Sequence, residues 1–172
     1  RRRAESGADA RSGGGASDRG GGAESARNDR SEIVSDQFDP SVAVRGYAEL
    51  RDWYGVCPNF HDAYVNQLDI RVDGTGKMVL RGFRITSEVD EQGKYVLDKH
   101  FKATFTLEGL GSVALSEFAP DRGILFGLEI RDHKNGIEIE LSPTYGVGGR
   151  ISMERLSIDF GPVDYDGNWP PK

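Results

Sequence analysis

Two rhythms of apolar and polar positions run along this chain, and they change at one place. From Gly46 to Tyr54, "GYAELRDWY", Tyr47, Leu50 and Tyr54 recur at helical spacing, with Trp53 beside them and charges between. This predicts one short helix, starting as early as Pro40 or Ser41. "GVCPN" ends it, because Gly55 and Pro58 do not continue a helix. After that the period is two. Leu68, Ile70 and Val72 alternate with Gln67, Asp69 and Arg71. "DGTG" (73–76) reads as a hairpin turn, since Asp-Gly readily takes positive φ. Val79, Arg81, Phe83 and Ile85 share one parity, Met78 and Leu80 the other, and "DEQGK" (90–94) marks a second turn.

Phe101, Ala103, Phe105 and Leu107 alternate with Lys102, Thr104 and Thr106, as a strand with one wet face does. "EGLG" (108–111) reads as another turn, after which Val113 and Leu115 resume the alternation. Ile124, Phe126, Leu128 and Ile130 form the clearest apolar stripe. "DHKNG" (132–136) carries Asn-Gly, a strong hairpin signal. Ile137, Ile139 and Leu141 then alternate with Glu138 and Glu140, and "YGVGG" (145–149) leads into the last run. In "RISMERLSIDF" the parity breaks: Ile151 and Met153 are odd, whereas Leu156, Ile158 and Phe160 are even. One extra residue near Glu154-Arg155, a β-bulge, would keep both sets inward; a strand passing between sheets is the alternative. The prediction is a mostly β (α+β) domain: one short N-terminal helix, then about seven antiparallel strands forming a sandwich, a barrel or a strongly curved sheet.

Composition divides the chain. Residues 1–30 hold seven Gly, seven Arg, six Ala, five acidic residues, four Ser and one Asn, and nothing larger and apolar. Such a segment buries too little surface to offset a backbone ordering cost of about 1–2 kcal/mol per residue. The expected organisation is a disordered Arg/Gly/Ser-rich tail over 1–36, a single β domain over 37–163 and an extended C-terminal tail over 164–172. The net charge of residues 1–30 is only +2. Residues 31–172 hold 15 basic and 23 acidic residues, a net charge of −8. An acidic domain repels phosphate backbones, which disfavours nucleic acid and suits a basic protein partner. A lone cysteine, Cys57, fits a reducing compartment. No apolar stretch approaches the 18 or more residues of a membrane span, so no membrane association is expected and cytoplasm is the expected location.

Candidate chemistry is sparse. Cys57 and His61 are four apart in a Pro-containing loop, but with His100 before a strand and His133 in a turn nothing resembles a second pair, so no metal and no cofactor is expected. Cys57 has Asp52 and Asp62 as its ionic neighbours, which oppose a reactive thiolate, and it reads as a small buried or half-buried residue. "GVGG" lacks the context of a phosphate loop. Glu138 and Glu140 lie on one wet face, either as a solvated edge or as a surface for a basic partner. "CPNFHDAYV" (57–65) holds the one local constellation, His61-Asp62. It reads as a polar lock at the helix-to-sheet corner, with Asp62 accepting backbone N–H groups and His61 donating and accepting at its ring nitrogens. A hydrolase built on His61 and Asp62 would need a cleft and a third titratable group.

The helix followed by Gly55, Pro58 and "F-H-D-A-x-V" resembles the opening of the bacterial immunity protein fifty family of polymorphic toxin systems. The matching residues are Trp53, Gly55, Pro58, Phe60, His61, Asp62, Ala63 and Val65; the closing strands from "LEIRD" onward are also similar, over about residues 46–163. Tyr64 stands where that family usually has an acidic residue. The resemblance implies a non-enzymatic cytoplasmic protein that binds and neutralises a cognate toxin, with Trp53, Pro58, Phe60, His61 and Asp62 as a structural motif. Glu138 and Glu140 are then candidate contacts to the toxin. A small-ligand or carbohydrate-binding β domain is the other expectation, and it would line a concave pocket with aromatic residues such as Trp53 and Trp169.

Overall fold

A computed structural model describes residues 38–117, 123–134 and 136–164. The expectations for 1–36 and for the C-terminal tail beyond Asp164 lie outside the described residues. Eight elements follow in order: α1 (Pro40–Ala43), α2 (Tyr47–Tyr54), β1 (Tyr64–Ile70), β2 (Thr75–Val89), β3 (Tyr95–Ser116), β4 (Ile124–His133), β5 (Gly136–Tyr145) and β6 (Gly148–Pro162). The strands form one closed antiparallel barrel in the order β1-β2-β3-β6-β5-β4.

The helical segment is two pieces. Asp39 caps α1 by accepting from the Ser41 N–H at 2.8 Å, and Pro40 supplies a preset φ at the first position. The chain then leaves the helix because the Arg45 carbonyl accepts from the Ile158 N–H at 2.8 Å, a bridge to β6. Gly46 restarts it at φ +86, where a Cβ would stand 1.9 Å from the Ile158 oxygen. Gly55 closes α2 in the left-handed region, its N–H donating to Arg51. Tyr47, Leu50 and Tyr54 are buried, as their spacing predicts.

The strands number six, not seven, because "EGLG" does not turn. Gly109 takes φ +67 inside β3, and its strand runs on to Ser116. This also answers the parity break in β6. Glu108 pairs with Arg155 and Leu110 with Met153 in one register, so β3 and β6 change face together there. The Glu154 side chain lies over Gly109, where a Cβ would stand 2.7 Å from it. The register slip sits in β3 between Leu110 and Ser112, not at Glu154-Arg155. Turns form within the stretches predicted at 73–76, 90–94 and 145–149, with positive φ at Gly74, Gly93, Gly146 and Gly149, although Thr75-Gly76 already belong to β2 and Gly148-Gly149 to β6, and β4 meets β5 at His133–Gly136.

Side chains fill the barrel: Met78, Leu80, Ala103, Phe105, Leu107, Leu125, Ile139 and Ile151 are all fully buried. An aromatic lattice lies above them. Trp53, Tyr54 and Phe60 each pack against Phe101 with ring centroids 5.9–6.3 Å apart, near edge-to-face, and Phe60 also meets Phe105 at 5.7 Å. Closure of the barrel depends on the stretch before β1. The Asp62 N–H donates to the Leu125 carbonyl, and the Leu125 N–H donates to Ala63, both at 2.9 Å. Val65 donates to Gly123 at 2.6 Å and Leu128 to Asn59 at 3.3 Å. Residues 59–65 therefore run beside the start of β4 as the missing rung of the sheet.

Candidate functional site

The corner at 57–65 is held chiefly by backbone and by Phe60. Phe60 is 3% exposed and takes φ +55; Asp62 takes φ +59. Two left-handed residues, at about 1–2 kcal/mol each, reverse the chain sharply enough to drop Phe60 inward and lay 59–63 along β4. The Asx turn of this corner belongs to Asn59, whose Oδ1 accepts the His61 N–H at 3.1 Å, rather than to Asp62. His61 Nδ1 lies 3.0 Å from Asp62 Oδ2, but the approach lacks hydrogen-bond geometry and Nδ1 has no hydrogen-bond partner. Both side chains are about two-fifths exposed. Pro58 is buried beneath the turn.

Cys57 is exposed, contrary to the buried or half-buried placement expected from its size. Gly55 and Val56 carry the loop outward, and the Cys57 Sγ meets the Tyr47 hydroxyl at 3.2 Å. Burial, and then this contact, push the Tyr47 hydroxyl well above its ordinary pKa, so it stays protonated.

Trp53 belongs to the lattice, with its ring on Phe101 and Phe160. Lys99 donates to the Trp53 carbonyl, and its ammonium sits 5.7 Å from the ring centroid. Trp169 lies outside the described residues. Arg84 fastens the same end of α2: it donates to the Tyr54 carbonyl at 3.2 Å and grips Asp98 at 2.8 and 2.5 Å. The Arg84 guanidinium holds the Asp98 carboxyl below its usual range.

Glu138 and Glu140 point outward from β5, as the alternation predicts, but β5 lies between β4 and β6 and is no edge. Closure of the barrel removes the edge that the solvated-edge reading required. Their carboxylates are also engaged. Arg131 reaches Glu129 and Glu140, each at 2.5 Å, and Arg150 reaches Glu140 at 3.2 Å and Glu138 at 4.0 Å. His133 Nδ1 is 3.5 Å from Glu138.

The feature that alternation misplaces is Phe126. It belongs to the apolar stripe Ile124-Phe126-Leu128-Ile130, yet it is 64% exposed, while Leu125 and Leu128 are buried. A β-bulge causes this. Leu125 pairs with Pro143 and Gly127 with Ser142, which leaves Phe126 as the extra residue on β4. Gly127 inside a strand pattern was the available signal. The Phe126 ring leans on His61, with centroids 5.2 Å apart and planes at 59°. Both stand on the rim of a cleft of about 570 Å³, whose walls include Pro40, Pro58 and Ile130 and whose rim carries Glu129. Among the described residues, no three His, Cys, Asp or Glu side chains gather as a metal site would require. The same residues contain no helix long and apolar enough to cross a membrane. No protein-family model, curated protein or solved structure matches the chain.

Proposed function

We propose that this chain is a non-catalytic binding domain that masks a cognate toxin protein in the cytoplasm of the cell that makes both, as an immunity protein does. The observation that carries this reading is Phe126: a large aromatic ring, exposed by a bulge on the barrel wall, at the rim of a cleft of mixed polar and apolar lining. Aromatic anchors beside pockets are where protein interfaces concentrate their binding energy. A net charge of −8 over residues 31–172 favours a basic partner. The helix and "FHDA" corner, through which the chain resembles the immunity family, seat His61 against that ring.

A small-ligand site is the second reading, and the size of the cleft favours it, since pockets for such ligands span about 300–1,000 Å³. Against it, Trp53 packs into the core lattice and does not line the cleft. The test is protection. Cells expressing the toxin domain encoded beside this gene are expected to survive when this chain is co-expressed. Death at the same rate with and without it would sink the proposal.

A further inference from the structure

We propose that the cleft rimmed by Phe126, His61 and Glu129 docks an arginine-bearing segment of the protein partner. This rests on the masking function proposed above and adds its location and chemistry.

Burying a Phe side chain gains about 1.5–3 kcal/mol over leaving it in water. Regular pairing of β4 would have placed Phe126 on the inner face with Leu128. The bulge instead gives the interior to Leu125 and Leu128 and leaves Phe126 64% exposed. The ring is then braced: His61 meets it with centroids 5.2 Å apart and planes tilted at 59°, and both residues line the cleft. A flat, braced π face in water is a platform for a planar group.

The charge beside it selects the group. Three carboxylates (Glu129 on the rim, and Glu138 and Glu140 beyond it) face two guanidiniums (Arg131 and Arg150). Carboxylates therefore outnumber guanidiniums by one on this face. Arg131 engages one Glu129 oxygen, Oε2, and the Glu129 side chain is 64% exposed. A guanidinium satisfies both features at once. It stacks on an aromatic face and donates the N–H groups of its fork to carboxylate oxygens, whereas an ammonium is a strongly hydrated point charge. Its aliphatic stem suits walls made by Pro40, Pro58 and Ile130. At about 570 Å³ the cleft has room for residues flanking that arginine, so a segment rather than a lone side chain enters.

The projecting end of the β2–β3 hairpin also exposes apolar residues, Val89 and Tyr95. They pair across a turn on two strands and are not among the residues that line the cleft, so they serve as the control.

The experiment titrates the purified chain with the toxin domain encoded beside its gene. Phe126→Ala is expected to weaken binding about 30-fold or more, as hot-spot truncations do. Glu129→Gln is expected to weaken it about tenfold and to flatten its salt dependence. One arginine-to-lysine variant of the toxin should reproduce the Phe126→Ala loss and add little to it in the double variant. Val89→Ala should bind like the parent. Because Phe126 and Glu129 are exposed, melting curves should stay within a few degrees of the parent's. If the parent binds and both cleft variants bind within about twofold of it, the cleft assignment is overturned while the masking function stands. If the parent neither binds nor protects, both fall. A small organic molecule held in the cleft and not displaced by the toxin also overturns the assignment.

Discussion

Replacing Phe60 by Ala should cost far more than replacing its neighbour His61, although the two are adjacent in the same corner. Phe60 is 3% exposed, and its ring meets Phe101 at 6.3 Å and Phe105 at 5.7 Å. Removing a buried Phe side chain costs about 3–5 kcal/mol, through lost transfer energy and the cavity left behind. Alanine keeps the unfavourable φ of +55, so it offers no relief of backbone strain in return. His61→Ala loses a ring contact with Phe126 and a contact with Asp62 between side chains that are each about two-fifths exposed. Such pairs contribute about 0–1 kcal/mol. With a urea slope of about 2 kcal/mol per molar, the midpoint should fall by about 1.5–2.5 M for Phe60→Ala and by less than about 0.5 M for His61→Ala. Trp53, packed on Phe101, makes intrinsic fluorescence a suitable probe. Should Phe60→Ala fail to fold, Phe60→Leu serves, with a smaller loss that still exceeds that of His61→Ala. If His61→Ala proves as costly as Phe60→Ala, the corner is held by the His-Asp pair and not by backbone pairing around a buried aromatic.

Gly46→Ala should destabilise by well over the about 1–2 kcal/mol of a left-handed backbone alone, because the new Cβ collides with the Ile158 carbonyl; thermal unfolding measures it. Ser152→Ala should cost about 0.5–1.5 kcal/mol, since the buried Ser152 hydroxyl accepts the Ser112 N–H at 2.8 Å and alanine removes that bond while leaving the exposed Ser112 donor to water. Asp98→Asn should lower the urea midpoint at pH 7. Arg84 depresses the folded-state pKa of Asp98, so its stabilisation is present above the unfolded value of about 3.9 and disappears as pH falls through the folded value. Parent and Asp98→Asn should therefore converge in strongly acidic buffer, and a gap that persists there would contradict the assignment.

Much of the fold was legible because its signals are local. Asp73-Gly74, the turn at 90–94 and Asn135-Gly136 mark hairpins through backbone preference alone, and the alternation around Ile137–Leu141 places its own inner face. The features that escaped depend on remote partners. Alternation cannot tell whether the first strand meets the fourth; that is decided by Asp62 and Ala63 pairing with Leu125. The break between α1 and α2 arises from Arg45 pairing with β6, and no helix-propensity pattern encodes that bridge. Gly109 reads as a turn in isolation but permits a face change within a strand whose partner changes face with it. At the candidate site the "FHDA" corner was visible and Phe126 was not, because an apolar residue in step with its stripe looks buried until a bulge displaces it.

The most direct test is calorimetric titration of the parent chain with the toxin domain that the proposed function expects to be encoded beside its gene. Saturable 1:1 binding with a Kd of about 1 nM or tighter is expected, in the range that stable inhibitory interfaces of standard size reach. No binding at about 10 μM of each protein would contradict it.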